Sequence, residues 1–134
     1  MKLLGLFVLC SVIAGCDPIS VTALTVPPPG KTAQLDDESL ELELSHGIAL
    51  GFECTANTND YYGPCRNPRA KMTDETIAAV FSSYLDSVAD TWNDGAAGPR
   101  SRTAFVVVGL APGKTTLKVT TTDGDVDVSV TIVP

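Results

Sequence analysis

The sequence predicts an all-β domain, a sandwich or small barrel of about seven or eight strands. Apolar and polar residues alternate over 40–54 and again over 117–132, which is the period of a strand with one buried face. Residues typical of turns separate these stretches at intervals of about a dozen residues. Long alternating segments divided by turns indicate a core built between sheets.

The first strand is predicted within residues 17–31. Its apolar positions are Ile19, Val21, Leu24 and Val26, and a change of phase near Ala23 suggests a bulge. The run Pro27–Gly30 cannot pair as a central strand and indicates a stiff turn.

The clearest alternation follows. Leu40, Leu42 and Leu44 predict a half-buried strand, and Ile48, Leu50 and Phe52 continue the pattern to Cys54. His46 and Gly47 lie between the two halves, as expected of a hairpin turn. Residues 57–68 are polar and predict a loop.

The segment 73–92 is ambiguous. Its apolar residues have helical spacing, and Thr73 followed by Asp74 and Glu75 is a typical helix start. A short strand followed by a helical insertion over about 83–92 is the alternative.

The last third predicts three strands. Ala104–Val108 is continuously apolar, which indicates a strand covered on both faces. Residues 109–113 form a turn, and Leu117 and Val119 begin a second alternating strand. An Asp-Gly hairpin turn over 122–125 leads into the third strand, whose inward positions are Val126, Val128, Val130 and Ile132.

The start of the chain has the features of an export signal. Met1-Lys2 precedes an uncharged apolar run from Leu3 to Ala14, which is too short to cross a bilayer. Ile13-Ala14-Gly15-Cys16 resembles the lipobox of bacterial lipoproteins. The resemblance implies that residues 1–15 are removed and that Cys16 becomes the acylated first residue. An ordinary signal peptidase site, with Cys16 uninvolved, is the alternative.

This export signal also predicts the roles of the other three cysteines. Cys10 leaves with the signal, and Cys54 and Cys65 remain as a pair in an oxidising compartment. We expect these two to form a disulfide. A metal site is not predicted, because His46 is the sole histidine of the chain and two cysteines are too few ligands.

The length fits one domain after the signal. Residues 16–30 are expected to form the lipidated N-terminus, tether and first strand, and residues 31–134 the remainder of the domain. The net charge of −7 argues against nucleic acid as a partner and against charge-driven binding to anionic lipids.

Two stretches carry a family resemblance. Residues 105–119 resemble the closing half of bacterial Ig-like domains of the invasin and intimin type, and residues 73–80 resemble the stretch before it. The resemblance implies an Ig-like β-sandwich with a strand over Ile77–Phe81, and a spacer or adhesive module without catalytic residues. The middle-strand tryptophan of that family is missing, since Trp92 lies elsewhere.

The sequence predicts neither catalysis nor a cofactor. His46 lies in a predicted turn, and nothing in the pattern places a nucleophile beside it. The best candidate contact surface is the loop closed by the disulfide, with Tyr61, Tyr62 and the nearby Arg66. Alternatively, one of the tyrosines folds back over the edge of the core.

These observations predict a non-enzymatic cell-envelope protein. It would be held on a membrane by the lipid on Cys16 and would contact an envelope protein or surface ligand through its loops. The alternative is a chagasin-like inhibitor of cysteine proteases, because residues 59–63 and 95–98 resemble the Asn- and Gly-rich loops of that family.

Overall fold

The computed structural model describes residues 18–85 and 102–134, which form two sheets packed face to face. The strands are β1 (Ile19–Ala23), β2 (Ala33–Asp36), β3 (Glu41–Ser45), β4 (Ala49–Asn57), β5 (Tyr62–Pro64), β6 (Arg69–Met72), β7 (Ala78–Leu85), β8 (Arg102–Gly109), β9 (Gly113–Thr120) and β10 (Asp125–Val133). Sheet I has the order β1-β4-β8-β7, with β5 also paired to β4; sheet II has the order β2-β3-β10-β9-β6. The predicted all-β sandwich is confirmed.

The core lies between the alternating faces of the two sheets. In β10 every second residue from Val126 to Ile132 is buried, while Asp125, Asp127 and Ser129 face outward. The rings of Phe52 and Phe105 stack at the centre of sheet I with centroids 5.4 Å apart. The largest side chains of the core are Leu42, Leu44, Leu50, Phe52, Met72, Phe105 and Leu117. The period-two pattern of β10 therefore determines which of its faces is buried.

The ten strands exceed the seven or eight predicted. The additional strands are short: β2 follows the proline-rich turn, and β5 and β6 lie in and just after the predicted loop 57–68. Segments of three or four residues show too little periodicity to be recognised, and they are strands here because longer neighbours pair with them.

The prediction of a helix from Thr73 is wrong, and so is the start of the helical insertion at 83. Strand β7 runs to Leu85 and pairs with β8 from Ala78↔Gly109 to Leu85↔Arg102. The central strand β8 requires hydrogen-bond partners along both edges, and that requirement overrides the helical spacing. The rest of the predicted insertion, residues 86–92, lies outside the described residues.

Two further expectations are corrected. His46 and Gly47 do not join a hairpin, because β3 belongs to sheet II and β4 to sheet I. Instead β3 pairs in parallel with β10, with Leu42 opposite Val130. Phe105 and Val107 are buried on the inner face of β8, whereas Val106 and Val108 on its outer face are half-buried. The predicted turn over 122–125 does join β9 to β10.

The strand directions define two ends of the sandwich. The start of β1, the end of β4 and the β9–β10 turn lie at one end, while the β8–β9 turn and the end of β10 lie at the other. We call these the N-terminal pole and the distal pole. They are about 30 Å apart, since β10 has nine residues that rise about 3.3 Å each. In residues 18–85 and 102–134, no helix has the length and apolar content needed to cross a bilayer.

Truncation of Phe52 tests the position of the core. Phe52→Ala removes a buried ring that stacks on Phe105 and should lower the free energy of unfolding by about 3–5 kcal/mol. Phe81 lies on sheet I as well, but it is 58% exposed. Phe81→Ala should cost about 1 kcal/mol or less. Urea unfolding of both variants measures the difference, and equal losses would contradict this assignment of the core.

Candidate functional site

The chain enters the domain at the N-terminal pole through Pro18. The Pro18 carbonyl accepts a hydrogen bond from the backbone N–H of Asn57 at 2.8 Å. Its ring packs on Gly124 in the β9–β10 turn, so closely that a Cβ on Gly124 would lie 2.5 Å from the Pro18 Cγ. Gly124 also has a φ of +154°. A glycine is therefore needed at this position to seat Pro18, and the entry point of the chain is fixed.

A disulfide closes the hairpin beside this entry point. Cys54 and Cys65 are bonded, as the cysteine pattern predicts, with their Cα atoms 5.4 Å apart. Both are buried, and the backbone N–H of Cys65 donates to the Cys54 carbonyl at 3.0 Å. The hairpin tip, residues 58–61, is held by mutual backbone hydrogen bonds between Thr58 and Tyr61. The covalent bond thus fixes the base of a short hairpin whose tip extends from the pole.

The two tyrosines of this hairpin have different environments. The Tyr61 hydroxyl donates to the Pro64 carbonyl at 2.7 Å, and its ring packs against the core. The Arg66 guanidinium lies over that ring, 4.8 Å from its centroid. Tyr62 is 75% exposed. One tyrosine therefore stabilises the hairpin, as the alternative prediction had it, and the other presents its ring at the surface.

Arg66 links the hairpin to the β9–β10 turn. Its backbone N–H donates to Asp123 Oδ2 at 2.8 Å, and its Nε donates to Asp123 Oδ1 at 2.7 Å. The Arg66 Nη2 also contacts Oδ1, and the Arg66 carbonyl accepts from the Thr122 N–H at 2.9 Å. These charge-assisted hydrogen bonds connect sheet I to sheet II across the pole.

This pairing shifts the ionisation of both side chains. The hydrogen bonds from the Arg66 side chain, and then from its backbone N–H, hold the pKa of Asp123 below its ordinary value of 3.8. The hydrogen bond to Asp123 raises the pKa of Arg66 further above its ordinary range. The pair is therefore a structural brace that remains ionised at neutral pH.

The structure brings the three predicted contact residues together at the pole. Tyr61 and Arg66 make internal contacts there, Tyr62 is exposed, and a binding role for them stays a prediction. Pro18, Asp123 and Gly124 were missed as parts of this site. The Asp-Gly pair signals a turn, but no local pattern shows that the turn meets Pro18 and Arg66. Cys16 and residues 95–98 lie outside the described residues.

Other polar groups have structural roles as well. His46 is exposed at the distal pole, and the hydroxyl of its buried neighbour Ser45 accepts a hydrogen bond from the Thr32 N–H at 2.9 Å. Backbone N–H groups of Ser39 and Glu38 lower the pKa of Asp36. The Thr76 hydroxyl lowers the pKa of Asp74. Asp36 and Asp74 thus stabilise turns.

The outer face of sheet II has a shallow polar groove. It is lined by side chains that include Gln34, Asp36, Glu41, Glu43, Lys114 and Thr131. Among the described residues, no group of three or more His, Cys, Asp or Glu side chains is placed to hold a metal ion. The groove thus presents a mixed polar surface.

Comparison with known proteins identifies the fold. No protein-family profile matches the chain, and no curated protein matches it. Among solved structures, domains 4 and 5 of the S-layer protein SbsC superpose with a TM-score of 0.52 at 18% identity. That match covers 85% of this chain and 54% of the other. This chain therefore spans about half the length of that structure.

Two more solved structures superpose on this chain with similar scores. Domains 5–6 of the same S-layer protein give a TM-score of 0.52 at 20% identity, over 76% of this chain and 43% of theirs. A longer piece, rSbsC(31-844), gives 0.51 at 16% identity, over 90% of this chain and 21% of that one. At these identities the similarity establishes the fold alone. The resemblance to invasin-type domains stays a prediction.

Removal of the disulfide should destabilise the domain. The bond closes a loop with a sequence separation of 11 residues. In the chain-entropy model a loop of this size contributes about 3 kcal/mol. A variant with both Cys54→Ser and Cys65→Ser should lose about that much in urea unfolding. Reductant should lower the stability of the wild type but leave the variant unchanged. A reductant-insensitive wild type would contradict the bond.

The Arg66–Asp123 pair should contribute to acid sensitivity. Since the folded pKa of Asp123 is lowered, its contribution is present above the ordinary value of 3.8 and is lost as the pH falls through the folded pKa. Asp123→Asn should therefore lower the melting temperature at neutral pH, with a smaller difference from wild type in strong acid. The exposed Lys118–Asp127 pair provides the control, and Asp127→Asn should have little effect. A difference that does not depend on pH would contradict this role of Asp123.

Proposed function

We propose that this protein is a lipid-anchored structural or protein-binding module of the bacterial cell envelope, without enzymatic activity. The observation that carries the proposal is the short distance in sequence between Cys16, at the lipobox-like site, and Pro18, which is already packed on the sandwich. Lipid attachment at Cys16 would hold the domain itself at the membrane. More than one acyl chain is needed for stable anchoring, and lipoproteins carry two or three.

The architecture supports a structural or binding module. At the N-terminal pole, Arg66, Asp123 and Tyr61 make structural contacts with one another or with the backbone. The solved structures that share the fold come from a surface layer protein. We extend to this chain the idea of a β-sandwich that serves as a building or contact module at the envelope.

The anchor can be tested at the cysteine. Mass spectrometry of the mature N-terminal peptide should show a diacylglycerol-modified residue 16, and the protein should fractionate with membranes. Cys16→Ser should abolish the modification, and a Cys16→Ser protein from which residues 1–15 have been removed should no longer fractionate with membranes. Cys10→Ser, within the apolar run, is the matched control and should be lipidated normally. A mature protein with an unmodified Cys16 would refute the proposal.

A further inference from the structure

We propose that the N-terminal pole lies directly on the lipid headgroups and that the exposed Tyr62 is its membrane contact. This inference rests on the proposed lipidation of Cys16 and goes beyond it, because an anchor alone does not determine which surface faces the bilayer. The partner would be the neutral headgroup region of a phospholipid leaflet, and the contact would orient the sandwich.

The short chain between Cys16 and Pro18 limits how far the domain can lie from the lipid. Two peptide units separate Cys16 from Pro18, so their Cα atoms are at most about 7.6 Å apart. Pro18 is fixed on the sandwich by the Asn57 hydrogen bond and by the ring contact with Gly124. The headgroup layer on each side of a bilayer is about 5–7 Å thick. Acyl chains on Cys16 would therefore hold Pro18 within or just above the headgroups.

The register of β4 with its neighbouring strands places Tyr62 level with Pro18. Asn57 pairs with Pro18 on one side and lies opposite Tyr62 on the other. Neighbouring strands are about 4.8 Å apart, which puts the Tyr62 backbone about 10 Å from Pro18 and at the same height along the strands. The hairpin tip, residues 58–61, extends farther than this level. Tyr62 thus lies at the depth that the tether imposes on Pro18.

The side chain of Tyr62 has the exposure and the chemistry of a membrane-interface residue. Its ring is 75% exposed, and the disulfide at the base of the hairpin limits its freedom. Tyrosine is enriched where membrane meets water, because its ring is apolar and its hydroxyl is polar. Tyr61, by contrast, donates its hydroxyl hydrogen to the Pro64 carbonyl and packs on the core. The adjacent pair therefore divides into one residue that supports the hairpin and one that can contact lipid.

Charge favours neutral headgroups. The opposite charges of Arg66 and Asp123 neutralise each other within their hydrogen-bonded pair. Among the described residues, the exposed charges around the pole include two acids, Asp60 and Asp125, and one base, Arg69. A surface of this kind is not attracted to anionic lipid. We therefore expect the orientation to form on phosphatidylcholine alone, without strengthening when phosphatidylglycerol is added.

Single fluorescent labels can measure the orientation. The mature chain has no thiol left for labelling if Cys16 is acylated, because Cys54 and Cys65 are bonded and Cys10 leaves with the signal. Asp60→Cys reports from the hairpin tip. Glu75→Cys is the matched control, since it replaces an exposed acid in a turn at the distal pole. The lipidated protein in phosphatidylcholine vesicles is then titrated with iodide, an aqueous quencher.

We expect the label at position 60 to be shielded several-fold relative to the label at position 75. In a Cys16→Ser protein from which residues 1–15 have been removed, mixed with the same vesicles, the two labels should be quenched alike. Adding Tyr62→Ser to the lipidated Asp60→Cys protein should remove most of the shielding, whereas Tyr62→Trp should retain it.

The outcomes separate this inference from the proposed function. If the N-terminal peptide shows no lipid, both fail. If the lipid is present and the protein floats with the vesicles, but positions 60 and 75 are quenched equally, the orientation is refuted while the anchor stands. If position 60 is shielded and Tyr62→Ser changes nothing, the assignment of Tyr62 as the membrane contact is overturned.

Discussion

The burial of two apolar sheet faces against each other is the constraint on which the rest of this structure depends. Once Phe52, Phe105 and the valines of β10 occupy the interior, the outward positions of β10 are left to polar residues such as Asp125, Asp127 and Ser129. Packing constrains the side chains in turns and at strand ends less than it constrains those within the strands. The features that distinguish this domain from a generic sandwich accordingly concentrate at one end.

At that end, three independent links join segments far apart in sequence. The disulfide ties β4 to the segment after β5, the Arg66–Asp123 pair ties that segment to sheet II, and Pro18 packs on the same turn through Gly124. Each link involves a different chemistry: a covalent bond, a charge-assisted ion pair and a van der Waals contact. If Cys16 is lipidated as we propose, only Asp17 would separate the anchor from Pro18, so the pole would be the part of the domain held at the membrane.

Local sequence could predict part of this site. The compartment suggested by the first sixteen residues, together with the even cysteine count, predicted the Cys54–Cys65 bond, and the Asp-Gly pair predicted the β9–β10 turn. Sequence could not divide the roles of Tyr61 and Tyr62, because adjacent residues of the same type differ only in the face of the hairpin they occupy. It also missed Asp123 as the partner of Arg66, since the two are 57 positions apart.

What the sequence by itself determined is the class of fold, the buried faces of β3, β4, β9 and β10, the β9–β10 hairpin turn and the cysteine pair, because period-two alternation and turn chemistry are local properties. Only the tertiary structure decided which strands pair and which distant segments meet. It pairs β3 in parallel with β10, makes residues 78–85 a strand despite their helical spacing, and packs Pro18 on Gly124. Those outcomes depend on satisfying backbone hydrogen bonds and close packing between distant segments. No local pattern encodes either requirement.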